Sequence, residues 1–320
     1  MSSKLSDFLR KWMLVLSMLL GVGIYLFLRF VPGFGQAELT YSLIAKESQP
    51  FLVGIMLFLQ FNVTAPSDLH VRRWHAEVLS VQALLFAVFT VVTILLPHGE
   101  LRILSECAML CFICPTASAA GVITSRIGGS LQQTMAYLLL SDIMATLLIP
   151  LVVPLINPQE GLSYFGLLWS VSKRVFSMLV LPCILAWTIR YTLPKVQKWF
   201  ASFVNYAFYV WGIALLFAIS LATRSLVLSH SPFYMAFLIG LVALACCIGQ
   251  FLLGRRIARR YGHSISITAG QTFGQKNTGF LIWLGINYMT PITSVAGGLY
   301  SIWQNLVNSW ELQHYKSKNS

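Results

Sequence analysis

Lys276 stands inside Gly274-Gln275-Lys276-Asn277-Thr278-Gly279, a polar interruption of an otherwise apolar segment, and Asp142 stands in the middle of a second apolar run from Tyr137 to Ala145. Ionisable side chains inside such runs are costly and usually face a partner or a cavity. A close acid–base pair can hold both charges there, whereas an isolated group bears the full cost of burial. Two readings follow. One is a structural salt bridge that fixes the Asp142 helix to the Lys276 helix. The other is a switchable pair, with Asp142 as proton acceptor and Lys276 as its counter-ion and substrate anchor, whose opening changes the conformational balance. Glu106 is the third ionisable group of this kind, placed near enough to the outer end of its helix to be wetted.

Neutral donors and acceptors gather around the same stretches: Gln82, Ser118, Thr124, Gln271, Thr272, Gln275 and Asn277. A second interruption, Cys114-Pro115-Thr116-Ala117-Ser118, precedes the Lys276 stretch by about half the chain. Cys114, Pro115, Gly274 and Gly279 are therefore expected to break two helices. Irregular backbone within an apolar layer is tolerated only where protein or a water-filled cavity satisfies it, which predicts a polar pocket near the midplane. Half-helix N-termini aimed at that pocket would favour an anion, and freed carbonyls a cation.

The elements that carry these residues are membrane spans. The chain has 320 residues, of which 57% are hydrophobic and 10% charged, whereas about a quarter of residues in soluble domains are charged. Ten apolar stretches approach the roughly 20 residues that cross a bilayer. Their expected limits are 12–31, 49–65, 75–97, 101–126, 131–156, 164–190, 203–223, 233–254, 264–288 and 292–310. This is an all-α membrane protein in expectation, with helices four and nine broken. Ten divides into two five-helix units, 1–157 and 158–320, joined at the turn-like Asn157-Pro158-Gln159-Glu160-Gly161. A unit of five spans ends on the side opposite its start, so the second unit enters inverted. Arg29, Lys46, Arg102, Lys173, Arg174 and Arg224 fall on one side, and every other basic residue except Lys276 falls on the other. The positive-inside rule then places both termini in the cytoplasm. It also accounts for the net charge of +12 without nucleic acid.

Other motifs carry less. Cys107, Cys111 and Cys114 share one helical face, a spacing that suits packing better than a metal or arsenite site, since no His or carboxylate completes a ligand set. The six histidines lie in loops or at helix ends. No phosphate loop, nucleophile elbow or dinucleotide fingerprint is present, so the sequence does not point to an enzyme. Asn62-Val63-Thr64 matches a glycosylation acceptor by accident of composition. The first apolar run is too long and too aromatic for a cleaved leader.

Pro66-Ser67-Asp68, Gln82, Cys114-Pro115, Ala145-Thr146-Leu147-Leu148-Ile149-Pro150 and Asn277-Thr278-Gly279 together resemble landmarks of the bile acid/sodium symporter family, in its broad sense of ten-helix organic-anion transporters. The chain looks like a divergent bacterial-type member. The resemblance implies a panel domain of helices one, two, six and seven, and a core domain of helices three to five and eight to ten in which the breaks cross. It implies substrate binding between the domains and alternating access. The family's helix-four break runs Cys-Pro-Gly-Gly-Thr-Ala-Ser-Asn, and its sodium-holding Ser and Asn correspond here to Ala120 and Gly121. The sodium-binding Glu and Gln of helix nine correspond to Thr272 and Lys276, and Asp142 replaces a helix-five hydroxyl. Both sodium sites are thus expected to be lost.

The expected function is a secondary transporter of a small organic anion in the plasma (inner) membrane, sodium-independent and proton-coupled through Asp142 and Lys276. No cofactor or metal is expected; protons are. The expected partners are the anion and the lipid bilayer, with a homodimer allowed. Monovalent cation/proton exchange is the alternative within transport, and a non-transporting membrane receptor or scaffold is the alternative of another class.

Overall fold

The structure, a computed structural model, describes the backbone of residues 3–229 and 231–319. Lys4, Arg10, Lys11, Lys316 and Lys318, which enter the charge count above, have side chains outside the described residues, and His230 also lies outside them. The described chain is helical, with no strand: α1 (Ser3–Phe30), α2 (Gly35–Val63), α3 (Arg73–Leu95), α4 (Glu100–Ile113), α5 (Ala120–Arg126), α6 (Leu131–Ile156), α7 (Tyr164–Leu179), α8 (Leu181–Thr192), α9 (Pro194–Ala201), α10 (Ala207–Leu228), α11 (Phe233–Ala258), α12 (His263–Gly274), α13 (Thr278–Tyr288) and α14 (Val295–Asn319).

Five helical segments among the described residues are long and apolar enough to cross a membrane: α2, α3, α6, α9 continued into α10, and α11 continued to Tyr261. The pair α7 and α8, bent by 45°, makes a sixth if it counts as one span. Its bend has a local cause, because Pro182 near the start of α8 supplies no N–H to the preceding turn. The fourth and ninth expected spans are each two short helices. The 14 residues of α4 reach about 21 Å at 1.5 Å per residue, too little for a core of about 30 Å.

Large apolar side chains cover the outside. Leu84, Val88 and Leu95 on α3, and Leu241, Ile248 and Leu252 on α11, are all exposed, as suits a chain embedded in a membrane. Inside, α1 packs on α10, α10 on α2 and α2 on α8. A second set packs α11 against α12, α14 and α4, and α3 against α4 and α6, while α6 also meets α7.

The boundary that differs most from expectation is in the second helix. The second helix begins at Gly35 rather than near residue 49, and Pro50 lies inside it. Its charged first turns are anchored, since Glu38 pairs with Arg224 of α10 at 3.0 Å and accepts a hydrogen bond from Ser42. A proline then removes only one hydrogen bond from a helix held at both ends.

Candidate functional site

Pro115 ends α4, because it has no N–H to continue the ladder after Cys114 donates to Leu110. In α12 the stop comes at Gly274, where a Cβ would lie 2.3 Å from the Phe251 ring, so only glycine admits this approach to α11. Asn277 then caps α13 by accepting from the Phe280 N–H at 3.2 Å.

The two breaks cross and bond to each other. Thr116 and Lys276 face one another as a single antiparallel bridge. Ala117 N donates to Gln275 O at 3.0 Å, and Asn277 N to Pro115 O at 2.9 Å. The Thr116 hydroxyl donates to Thr272 O at 2.7 Å, and the Cys114 thiol to Asn277 O at 3.0 Å. The helices that follow the breaks satisfy the facing N–H groups, Thr116 N on Ser141 Oγ of α6 at 3.1 Å and Lys276 N on Gln304 Oε1 of α14 at 2.8 Å. A glutamine and a tyrosine serve each freed carbonyl. Tyr137 donates to Gln82, whose amide donates to Cys114 O. Gln250 donates to Tyr300, whose hydroxyl donates to Gly274 O at 2.8 Å.

Side chains and the opposing break satisfy these freed backbone groups without the expected polar pocket. Two cavities lie elsewhere. One is a void of about 10 Å³ among apolar side chains including Phe86, Met109 and Leu284, and the other is a cleft at the arginine-rich end of α11.

Asp142 and Lys276 are fully buried but do not pair; neither is among the ion pairs of the described residues. Both carboxylate oxygens of Asp142 and the Lys276 Nζ lack any hydrogen-bond partner. The structural salt bridge, one of the two expected readings, is therefore not formed, the switchable reading loses its ion pair as well, and the two side chains have different neighbours. Lys276 Nζ sits 5.0 Å from the centre of the Phe273 ring and within electrostatic reach of Cys111, Cys114 and Cys246. Asp142 lies within reach of Cys114 and of Cys183 on α8. The two side chains lie near the Cys114 thiol in different company.

Glu106 is also corrected. It is 2% exposed, accepts from Thr290 N and Oγ1 at 3.1 and 3.2 Å, and lies 3.6 Å from Arg102, so it ties α4 to the turn after α13 rather than meeting water.

The remaining expected residues divide. Gln82, Thr272, Gln275 and Asn277 are in or against the crossing. Gln271 is one turn away, where it accepts from the Gln275 amide and donates to Glu311 at 2.6 Å. Thr124 is buried but donates to Ala120 O within α5, and half-buried Ser118 takes no part in the crossing. Ala120 and Gly121 are buried in α5. Gly279 leaves a space whose nearest neighbours are Asn277 Oδ1 at 3.7 Å and Gln49 Nε2 at 3.8 Å.

Several participants escaped the sequence reading. Gln49 is fully buried, with Nε2 on Ala214 O and Oε1 unpartnered, but it stood at an assumed helix boundary. Gln304, Asn308 and Glu311 are buried on one face of α14, a spacing of four and three that could have been found. Glu311 continues outward to Arg255 at 2.6 Å. The three aligned cysteines are buried and act as packing groups with weak thiol hydrogen bonds. No family model matches the chain, and no curated protein matches it either.

Proposed function

We propose that this chain is a secondary transporter that moves a small organic anion across the plasma (inner) membrane by alternating access, independently of sodium and with proton coupling. The observation that carries this reading is the pair of crossed helix breaks with two unpartnered ionisable groups buried beside them. A buried ammonium without a hydrogen bond is an expensive feature for a merely structural protein, and an anionic cargo would supply what it lacks. Lys276 is the cargo anchor in this reading, and Asp142 takes up and releases the coupled proton. They act separately, each near Cys114.

The matched arrangements support an inverted repeat. Gln82 and Tyr137 flank the first break as Gln250 and Tyr300 flank the second, and Ser141 answers Thr116 as Gln304 answers Lys276. On this basis α1 to α6 form one five-span unit and α7 to α14 the other, with both termini cytoplasmic. Membership of the bile acid/sodium symporter group rests on the resemblance at Pro66-Ser67-Asp68, Gln82, Cys114-Pro115 and Asn277-Thr278-Gly279, and the residues Ala120, Gly121, Thr272 and Lys276 offer no pair of sodium sites, which favours a sodium-independent form.

Counterflow of labelled small carboxylates and sulfonates into proteoliposomes tests the proposal. Exchange is expected without sodium, to rise with an inward proton gradient, to vanish in Lys276→Thr and to lose its response to the gradient in Asp142→Asn. A need for sodium with indifference to pH would sink it. Monovalent cation/proton exchange is the second reading, favoured by the bare Asp142 carboxylate. Proton movement driven by sodium or potassium alone would select it.

A further inference from the structure

We propose that the cleft between the start of α3 and the 259–261 turn, at the end of α11, binds the phosphate of an anionic glycerophospholipid. The cleft has a volume of about 550 Å³ and is lined by Glu77, Arg256, Ile257, Arg259 and Arg260. That size lies in the range of small-molecule sites.

The charges in the cleft are unequally used. Arg260 and the Tyr261 hydroxyl both bond Glu77 Oε1, so Glu77 already holds one arginine in place. Arg256 and Arg259 are exposed and pair with no carboxylate among the described residues. Two free guanidinium groups beside one fixed ion pair suit a phosphate, which takes planar two-pronged hydrogen bonds from arginine. Glu77 Oε1 is taken up by Arg260 and Tyr261 and Glu77 Oε2 is buried, so the carboxylate presents no bare oxygen to an arriving phosphate.

Lipid rather than a soluble phosphate ester fits because of what adjoins the cleft. Val78 of α3 packs with Ala258 of α11, so the two helices converge there. From that point Leu84 and Val88 on α3, and Leu252 and Ile248 on α11, continue as exposed apolar surface along which acyl chains can lie. Basic side chains at the end of a membrane helix each contribute about 1 kcal/mol toward anionic lipid, which is about fivefold in affinity. The site thus rests on membrane embedding and is independent of what the chain transports.

Native mass spectrometry of the full chain, delipidated in detergent, can be run with phosphatidylglycerol, phosphatidic acid, phosphatidylcholine and soluble glycerol 3-phosphate. Phosphatidylglycerol and phosphatidic acid are expected to be retained about twenty-fivefold more than phosphatidylcholine, at about fivefold per arginine. The double variant Arg256→Gln, Arg259→Gln is expected to weaken both by the same factor. Equal phosphatidylglycerol retention by the double variant and the native chain overturns the site. Equal retention of phosphatidylglycerol and phosphatidylcholine by the native chain overturns selection for a net anionic headgroup, and competition by glycerol 3-phosphate at lipid concentrations overturns the lipid. Because Arg256 and Arg259 are exposed and the Glu77–Arg260 pair stays in place, the double variant is expected to fold.

Discussion

At the first break the Cys114 carbonyl takes its hydrogen bond from Gln82, which Tyr137 holds; at the second, the Gly274 carbonyl takes its bond from Tyr300, which Gln250 holds. The same two side-chain types solve the same problem in opposite order. Around this shared scaffold the neighbourhoods diverge. The turn before Cys114 presents the buried thiols of Cys107 and Cys111, whereas the turn before Gln275 presents Gln271, and through it Glu311 and Arg255. Facing residues across the bridge are Thr116, with its hydroxyl bonded, and Lys276, with its ammonium bare. A crossing of two broken helices therefore needs matched backbone partners, but it leaves each half free in what it does with charge. The second half places a lysine in the crossing, and the first keeps its acid one residue past Ser141 on the supporting helix.

The matched stopping points can be broken most severely at Gly274. Gly274→Leu should destabilise the protein by about 3 kcal/mol, because its Cβ would fall 2.3 Å from Phe251, and overpacking of this kind typically costs about 1–3 kcal/mol. The corresponding residue of the first half already carries a side chain. Cys114→Ala should cost only about 1 kcal/mol, for one thiol hydrogen bond to Asn277 O. Thermal unfolding in detergent compares the two, and equal losses would mean that Gly274 is not fixed by the approach of α11.

The opposite order of glutamine and tyrosine predicts unequal effects from one chemical change. Tyr300→Phe removes the direct donor to Gly274 O and should cost about 2 kcal/mol, since a buried carbonyl left without a partner loses its full desolvation energy. Tyr137→Phe leaves Cys114 O with its Gln82 donor and strands only one side-chain oxygen, for about 1 kcal/mol. Unfolding midpoints at matched denaturant slopes test the ranking. A larger loss in Tyr137→Phe would reverse the roles given to the two tyrosines.

Much of this fold was legible in the residues. Pro115 and Gly274 mark their breaks through one missing donor and one missing side chain, both local facts that a sequence displays. Which groups would meet was less visible. Asp142 and Lys276 look like partners because both are costly and opposite in charge, yet side-chain direction on separate helices decides contact, and no spacing rule supplies that. Gln82 was legible as an amide in an apolar helix and as a landmark of the family resemblance. Gln250 stands in an apolar helix in the same way and was equally legible, whereas Tyr300 suits a membrane helix as an aromatic residue and gave no sign of its role. Glu311 was hidden by its place near the chain end, where a charge is expected to be solvated; only the packing of α14 on α11 buries it.

Glu311 also gives the mildest test of the asymmetry. Its Oε1 meets Arg255 at 2.6 Å and its Oε2 accepts from the Gln271 amide, so it joins the second break to the surface in a way the first half does not copy. The Arg255 side chain is 32% exposed, and water weakens the pair accordingly. Glu311→Gln keeps an acceptor for Gln271 and removes only the screened charge. Its expected cost is below about 1 kcal/mol. Glu311→Leu removes the acceptor as well and should cost more, by about 1 kcal/mol for the stranded Gln271 amide. If the two variants unfold together, the hydrogen bond to Gln271 contributes nothing, and the polar connection from Arg255 toward Lys276 is two separate contacts rather than one chain.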